Sequence, residues 1–257
     1  YDALYGTDAI TEDGGAEKNT CNYNPIRGAR VIEFARAWLN DSVPISGASW
    51  AEADGFLVID GCLVIRVGSE SARLVEPRQF IGHTGDANHP DSIILAKHGL
   101  HLEVLIDPSG AIGSNDKAHI DDIMVESALT TIIDLEDSIA AVDAADKVLA
   151  YRNWNEIMRG TLTAKFVKNG KTISRRLNPD KTYIAADGNH KTLRGRALLL
   201  VRNVGHLMSN PAVILSDGSE IPEGILDAFI SVAAALPDMA SHHNSPAGSI
   251  YVVKPKL

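Results

Sequence analysis

Cysteine is nearly absent from this 257-residue chain. Cys21 and Cys62 are the only two, too few for a disulfide framework or a structural zinc site, so a reducing, cytoplasmic setting is expected. An excess of positive charge is missing as well. Against 24 Lys and Arg stand 33 Asp and Glu, and the formal net charge of −9 speaks against a nonspecific nucleic-acid surface or a polybasic membrane patch. Apolar stretches are short, so no transmembrane helix is expected, and the opening YDALYGTDAI lacks the regions of a signal peptide. The chain also lacks GxGxxG after a strand, GxxxxGK[ST], GxSxG and HExxH, which counts against a dinucleotide dehydrogenase, a P-loop NTPase, a serine hydrolase and a zincin. His83, His89, His98 and His101 have no metal-ligand spacing.

What is present reads as α+β at first. Pro25 to Leu39 carries Val31, Ile32, Phe34, Ala35 and Trp38 at helical spacing. Phe56–Ile59 and Cys62–Val67 flank Asp60-Gly61, a hairpin signal. A Gly-, His- and Pro-rich loop is expected over Gly82–Asp91, then strands at Ser92–Ala96 and Leu100–Ile106. From Ile120 the rhythm changes. A helix is expected over Asp121–Leu129, a buried strand over Thr130–Ile133, and a helix over Asp143–Met158 stopped by Gly160. Strands at Leu162–Val167 and Thr172–Leu177 join through Asn169-Gly170, and Tyr183–Arg196 reads as a polar excursion. Strand Leu198–Val201, a loop, helix Glu223–Leu236 behind Pro222 and strand Ile250–Val253 complete a parallel α/β rhythm. Three such strands cannot close a TIM barrel, which needs eight, so they form either a small open sheet or part of a barrel. The non-methionine start at Tyr1 and the β-rich end suggest a piece of something longer.

The chemistry gathers at strand ends. Thr130–Asp146, TTIIDLEDSIAAVDAAD, sets Asp134, Glu136 and Asp137 together after an apolar run. Three clustered carboxylates repel one another unless a cation offsets them. Asp134 and Glu136 can bind Mg²⁺ directly or through its waters, or they can cap the next helix. Arg202 ends the Leu198–Val201 run. It can polarise a carbonyl or grip a carboxylate, or simply pair with those acids. Ser138 can donate to a phosphate or an adenine edge, or cap a turn. Arg175 and Arg176 point to opposite faces of one strand, so one of them can meet a phosphate. His206 offers itself as a base, although a loop histidine more often bonds local backbone.

Several long runs carry a family resemblance. They are YDALYGTD (Tyr1–Asp8), GLHLEVLID (Gly99–Asp107), AHIDDIMVESALTTIIDLEDSIAAVDAADKVLAYRNW (Ala118–Trp154), RNVGHLM (Arg202–Met208), DGSEIPEGILDA (Asp217–Ala228) and GSIYVVKPK (Gly248–Lys256). With these the chain resembles an internal segment of malate synthase G. That family condenses acetyl-CoA with glyoxylate and water to give malate and CoA, uses Mg²⁺ and serves the glyoxylate cycle. The resemblance implies an α/β fold made of partial TIM-barrel segments, 128–159 and 198–257, with an inserted α/β domain over 1–127 and 160–197. It implies Arg202 as catalytic arginine, oriented by Asp134 and Glu136, and Ser138 and Arg175 as acetyl-CoA-binding positions. It places the principal magnesium carboxylates and the catalytic base outside this chain, so the segment alone is expected to be inactive. The alternative is a noncatalytic module that binds CoA or a protein partner through Arg175 and its neighbours. Pro246-Ala247 departs from the family's Arg-Thr before Gly248, and Leu257 stands where methionine is expected.

Overall fold

The computed structural model describes residues 1–18, 22–126, 130–168, 170–205 and 207–253. In chain order its first elements are α1 (Asp2–Tyr5), α2 (Pro25–Ser42), β1 (Gly55–Ile59), β2 (Cys62–Val67), β3 (Glu70–Ala72), β4 (Phe80–Asp86), β5 (His89–Lys97), β6 (Leu100–Ile106) and β7 (Ile120–Val125). Then come β8 (Thr130–Asp134), α3 (Ala144–Arg159), β9 (Thr163–Lys168), β10 (Lys171–Arg176), β11 (Lys181–Ala185) and β12 (His190–Leu193). The last are β13 (Leu198–Arg202), β14 (Ser209–Ile214), β15 (Glu220–Pro222), α4 (Glu223–Ser241) and β16 (Val252–Val253). Contacts divide the chain into two units, Tyr1–Ser127 with Thr182–Leu193, and Ala128–Lys181 with Arg194–Leu257. The hairpin β9–β10 groups by contacts with the second unit, whereas the resemblance implies 160–197 as part of the inserted domain.

The first unit holds a six-stranded sheet, order β12-β11-β4-β5-β6-β7, and a three-stranded one, β1-β2-β3. Helix α2 starts where Asn24 accepts from the N–H groups of Ile26 and Arg27 and Pro25 presets the first turn. Its Leu39 and Val43 enter a core with Trp50, Phe56, Ile65, Ile93, Leu95 and Val104. Three expectations are corrected here. The loop expected over Gly82–Asp91 is strand for most of its length. Only a tight turn at Ala87-Asn88 interrupts it, with Asp86 Oδ1 accepting the Asn88 N–H at 2.7 Å. Gly82 is required on that strand, because a Cβ there would stand 2.3 Å from the Ile184 carbonyl oxygen. The helix expected from Asp121 is strand β7, antiparallel to β6, and Asp121 accepts from the Ile112 and Gly113 amides instead of capping a helix. Ser127, Ala128 and Leu129, and the Asn169 of the expected hairpin turn, lie outside the described residues. The polar excursion contains β11 and β12, held because Tyr183 and Ala185 turn inward onto Ile94.

The second unit holds a parallel sheet of order β16-β13-β8. Leu199 and Val201 of β13 pack with Trp154, Ile157 and Met158 of α3 and Ala235 of α4. Among the described residues no barrel closes, and the strand read as buried, β8, sits at the sheet edge with Ile132 51% exposed. Helix α3 begins on an Asp143 cap and ends at Gly160 in the left-handed region. Helix α4 runs past Pro237, beyond the expected stop at Leu236. Before the proline it is tied to α3, Trp154 Nε1 donating to Ser231 O and Asn155 Nδ2 to Ala234 O, both at 2.9 Å. By length and composition alone α4 would suffice to cross a membrane, yet it carries the buried Asp227 and Asp238. The loop expected after β13 contains the hairpin β14–β15. Pro246-Ala247 occupies a turn closed by Gly248 N–H to Ser245 O at 3.1 Å, a position where proline presets the backbone.

Candidate functional site at the strand ends

Parallel pairing of β8 and β13 aligns Leu200 with Ile132 and Arg202 with Asp134. Alternation along a strand then brings Asp134 and Arg202 out on one face, opposite the face where Leu199 and Val201 meet the helices. Both residues close their strands at the carboxyl end, where parallel sheets carry their chemistry. The Leu135 N–H donates to Arg202 O at 2.9 Å, so the pairing persists one residue past β8.

The guanidinium grips Asp134 through two parallel bonds, Nε to Oδ1 at 2.9 Å and Nη2 to Oδ2 at 2.5 Å. Glu136 Oε2 stands 3.7 Å from Nε, and Asp137 Oδ2 3.9 Å from Nη2. Asp134 also accepts from the Glu136 N–H at 2.9 Å, the Ser138 N–H at 2.8 Å and the Ser138 hydroxyl at 2.5 Å. Five donors thus converge on one carboxylate whose side chain is 8% exposed. Arg202 above all, then the Ser138 and backbone donors, hold the Asp134 carboxyl well below the usual carboxylate range despite its burial. In turn Asp134, with smaller contributions from Asp137 and Glu136, raises the Arg202 guanidinium further, so it stays charged at any working pH.

Of the residues singled out in the sequence, Asp134, Glu136, Asp137, Ser138 and Arg202 come together. Arg175 stands on β10 with its guanidinium 5.2 Å from the Phe166 ring centroid, exposed on the hairpin. Arg176 is exposed beside it. His206 lies outside the described residues. Ser138 has given its one hydroxyl proton to Asp134, so that oxygen retains acceptor capacity only: it suits an amine edge, not a phosphate. The arginine is oriented on its Asp134 side and 28% exposed, which leaves guanidinium edge for an anionic oxygen.

The residues present do not fit a magnesium ion by themselves. Asp134 already accepts five hydrogen bonds, about as many as its lone pairs serve. Among the described residues no three His, Cys, Asp or Glu side chains gather to hold a metal. A cavity of about 600 Å³ lies in the first unit beside Phe34, Trp38 and Ile123 and contains none of these site residues. Sequence reasoning passed over a buried group under the strand end, Lys147, Tyr151 and Asp227. The only signal was the i,i+4 spacing of polar residues, Lys147 with Tyr151 and Glu223 with Asp227, in otherwise amphipathic helices.

A family profile described as the malate synthase G alpha-beta insertion domain matches residues 23–97, within the first unit. Along its whole length the chain is 48% identical to malate synthase G of Corynebacterium efficiens, 47% to that of Halalkalibacterium halodurans and 48% to that of Corynebacterium glutamicum. It covers 34%, 36% and 35% of those proteins, so it spans about a third of the length of the curated relatives it matches.

Proposed function

The chain matches an internal segment of malate synthase G from end to end, and on that premise we propose that it supplies the substrate-orienting arginine of that enzyme's active site. The observation that carries the reading is the bidentate Arg202–Asp134 pair at the carboxyl ends of two adjacent parallel strands. In this reading β8, β13 and β16 with α3 and α4 are part of a TIM-barrel wall, and the profile-matched first unit is the insertion.

The reaction joins acetyl-CoA to glyoxylate and releases malate and CoA after water cleaves the thioester. Loss of a proton from the thioester methyl leaves an enolate, and negative charge then moves to the aldehyde oxygen as the carbon–carbon bond forms. A fixed cation beside those oxygens lowers that barrier without reorganising, and a guanidinium already clamped to a carboxylate on one edge is such a cation. Asp134 sets the plane of Arg202, and Glu136, 3.7 Å away, adds a second acid on the same side. Ser138 ties Asp134 down and keeps an acceptor for an adenine amine of CoA, while exposed Arg175 is the phosphate-facing candidate. The proton acceptor and the magnesium ligands belong, in this reading, to the rest of the longer protein. A cytoplasmic setting is part of the same reading and rests on the low cysteine content of the sequence.

The test is turnover and binding by the purified 257-residue chain. With acetyl-CoA, glyoxylate and Mg²⁺ it should produce no malate, and the longer protein should. Malate from the 257 residues alone would overturn the division of labour. Saturable CoA binding by calorimetry without turnover, abolished by Arg175→Ala, would favour the noncatalytic binding module instead.

A further inference from the structure

Beneath the Arg202 strand end lies a buried polar group with one outward connection. The Lys147 ammonium of α3 stands 2.7 Å from Glu223 Oε1 and 2.8 Å from Asp227 Oδ1, in the first two turns of α4. One turn along α3, the Tyr151 hydroxyl donates to the same Asp227 Oδ1 at 2.5 Å, and the ammonium sits 5.3 Å from the Tyr151 ring centroid. Asp227 is wholly buried. Its second oxygen, Oδ2, accepts the backbone N–H of Val204 at 2.8 Å. Val204 is two residues beyond Arg202.

The helix presses on that peptide from a second direction. A Cβ on Gly224 would come 2.6 Å from the Val204 carbonyl oxygen, so only glycine lets the first turn of α4 approach so closely. Glu223 N–H donates to Met208 O at 2.7 Å and fixes the far side of the same loop. Two acids and one ammonium carry a surplus negative charge, offset by the phenol and the Val204 amide. Apolar side chains would pack two helices as well or better, so the helix pair alone gives no reason for such a group. Its reach to the loop that follows Arg202 does.

We propose that Lys147, Tyr151 and Asp227 form a positioning network for Arg202, setting where β13 ends and so keeping the guanidinium on Asp134. This rests on the reading of Arg202 as the substrate-orienting arginine. Among the described residues no hydrogen bond or ion pair joins any of the three to the Arg202 side chain, and their effect passes through the Val204 peptide.

The test uses the full-length gene product, with four variants compared per folded molecule after a circular-dichroism melt. Asp227→Leu removes the acceptor for Val204 N–H, and Lys147→Met leaves buried acids without their cation. Each should lower kcat about tenfold or more, with a smaller change in KM, since a shift of about 1 Å in an orienting group costs on the order of 10²-fold. The paired change Lys147→Met with Asp227→Asn restores a neutral acceptor and should recover most of kcat. Lys147→Met with Asp227→Leu should not. Hydrogen exchange at the Val204 amide should speed up in the two Asp227→Leu variants and stay slow in the Asn pair. A purely structural group would cost melting temperature equally in both pairs and leave kcat of the folded fraction unchanged, which would overturn the inference. Arg202→Gln serves as control. If it is inactive while every folded network variant turns over normally, the network inference alone fails; if it turns over normally too, the site reading fails with it.

Discussion

Replacing Asp134 with asparagine removes one charge and little volume, and the geometry fixes the consequence. The carboxylate accepts from Arg202 Nε and Glu136 N–H on Oδ1, and from Arg202 Nη2, Ser138 N–H and Ser138 Oγ on Oδ2. An amide can present an oxygen to only one of those sets and turns its NH₂ donor toward the other. A hydrogen bond to a charged group contributes about 1.5–3 kcal/mol. Arg202 is 28% exposed and can rehydrate, so the lower half of that range applies, and Asp134→Asn should cost about 2 kcal/mol at pH 7. For a chain of this size that is a fall in melting temperature of about 4–8 °C. The pH dependence gives a sharper check. The folded carboxyl lies below its unfolded value of about 3.9, so its contribution is complete above that pH and disappears as pH falls through the folded value. Thermal melts of both proteins between pH 7 and strong acid should show a gap that is constant down to about pH 4 and then narrows. Equal stability at pH 7, or a gap that ignores pH, would refute the role given to Asp134.

Ser138→Ala removes one donor to Asp134 and keeps the backbone N–H, so chemical denaturation should show a loss of about 1 kcal/mol. Because the hydroxyl retains acceptor capacity, the KM for acetyl-CoA in the longer protein should rise in this variant with little change in the KM for glyoxylate. Gly82→Ala drives a Cβ to 2.3 Å from Ile184 O and 2.6 Å from a Tyr183 ring carbon, so it should destabilise the first unit by more than about 2 kcal/mol in the same assay, with the Arg202 site unaffected.

Much of this arrangement can be read from the chain. An apolar β-branched run that stops at an acid, and another that stops at an arginine, place Asp134 and Arg202 at strand ends because the strand and its terminus are local properties. That the two strands are neighbours in register is not local, and neither is the choice of Ser138 to spend its proton on Asp134. The wrong assignments share a cause. Asp121–Val125 has helix-compatible spacing and becomes strand because β6 offers a pairing edge, and Gly82-His83 looks like a loop until Ile184 is seen to require a glycine beside it. The Lys147–Asp227 network escaped because a buried lysine and a surface lysine are the same letter, and only packing tells them apart.

The most direct measurement is steady-state turnover of the full-length protein with Arg202→Gln, at saturating acetyl-CoA and glyoxylate and with its fold verified by melting. A fixed cation lost from beside a developing oxyanion costs about 10²–10³ in kcat, and that loss is the expected result. Turnover within about threefold of the unmodified enzyme would contradict it, because a barrier change that small is under 1 kcal/mol, too little for an arginine that stabilises the reacting oxygens.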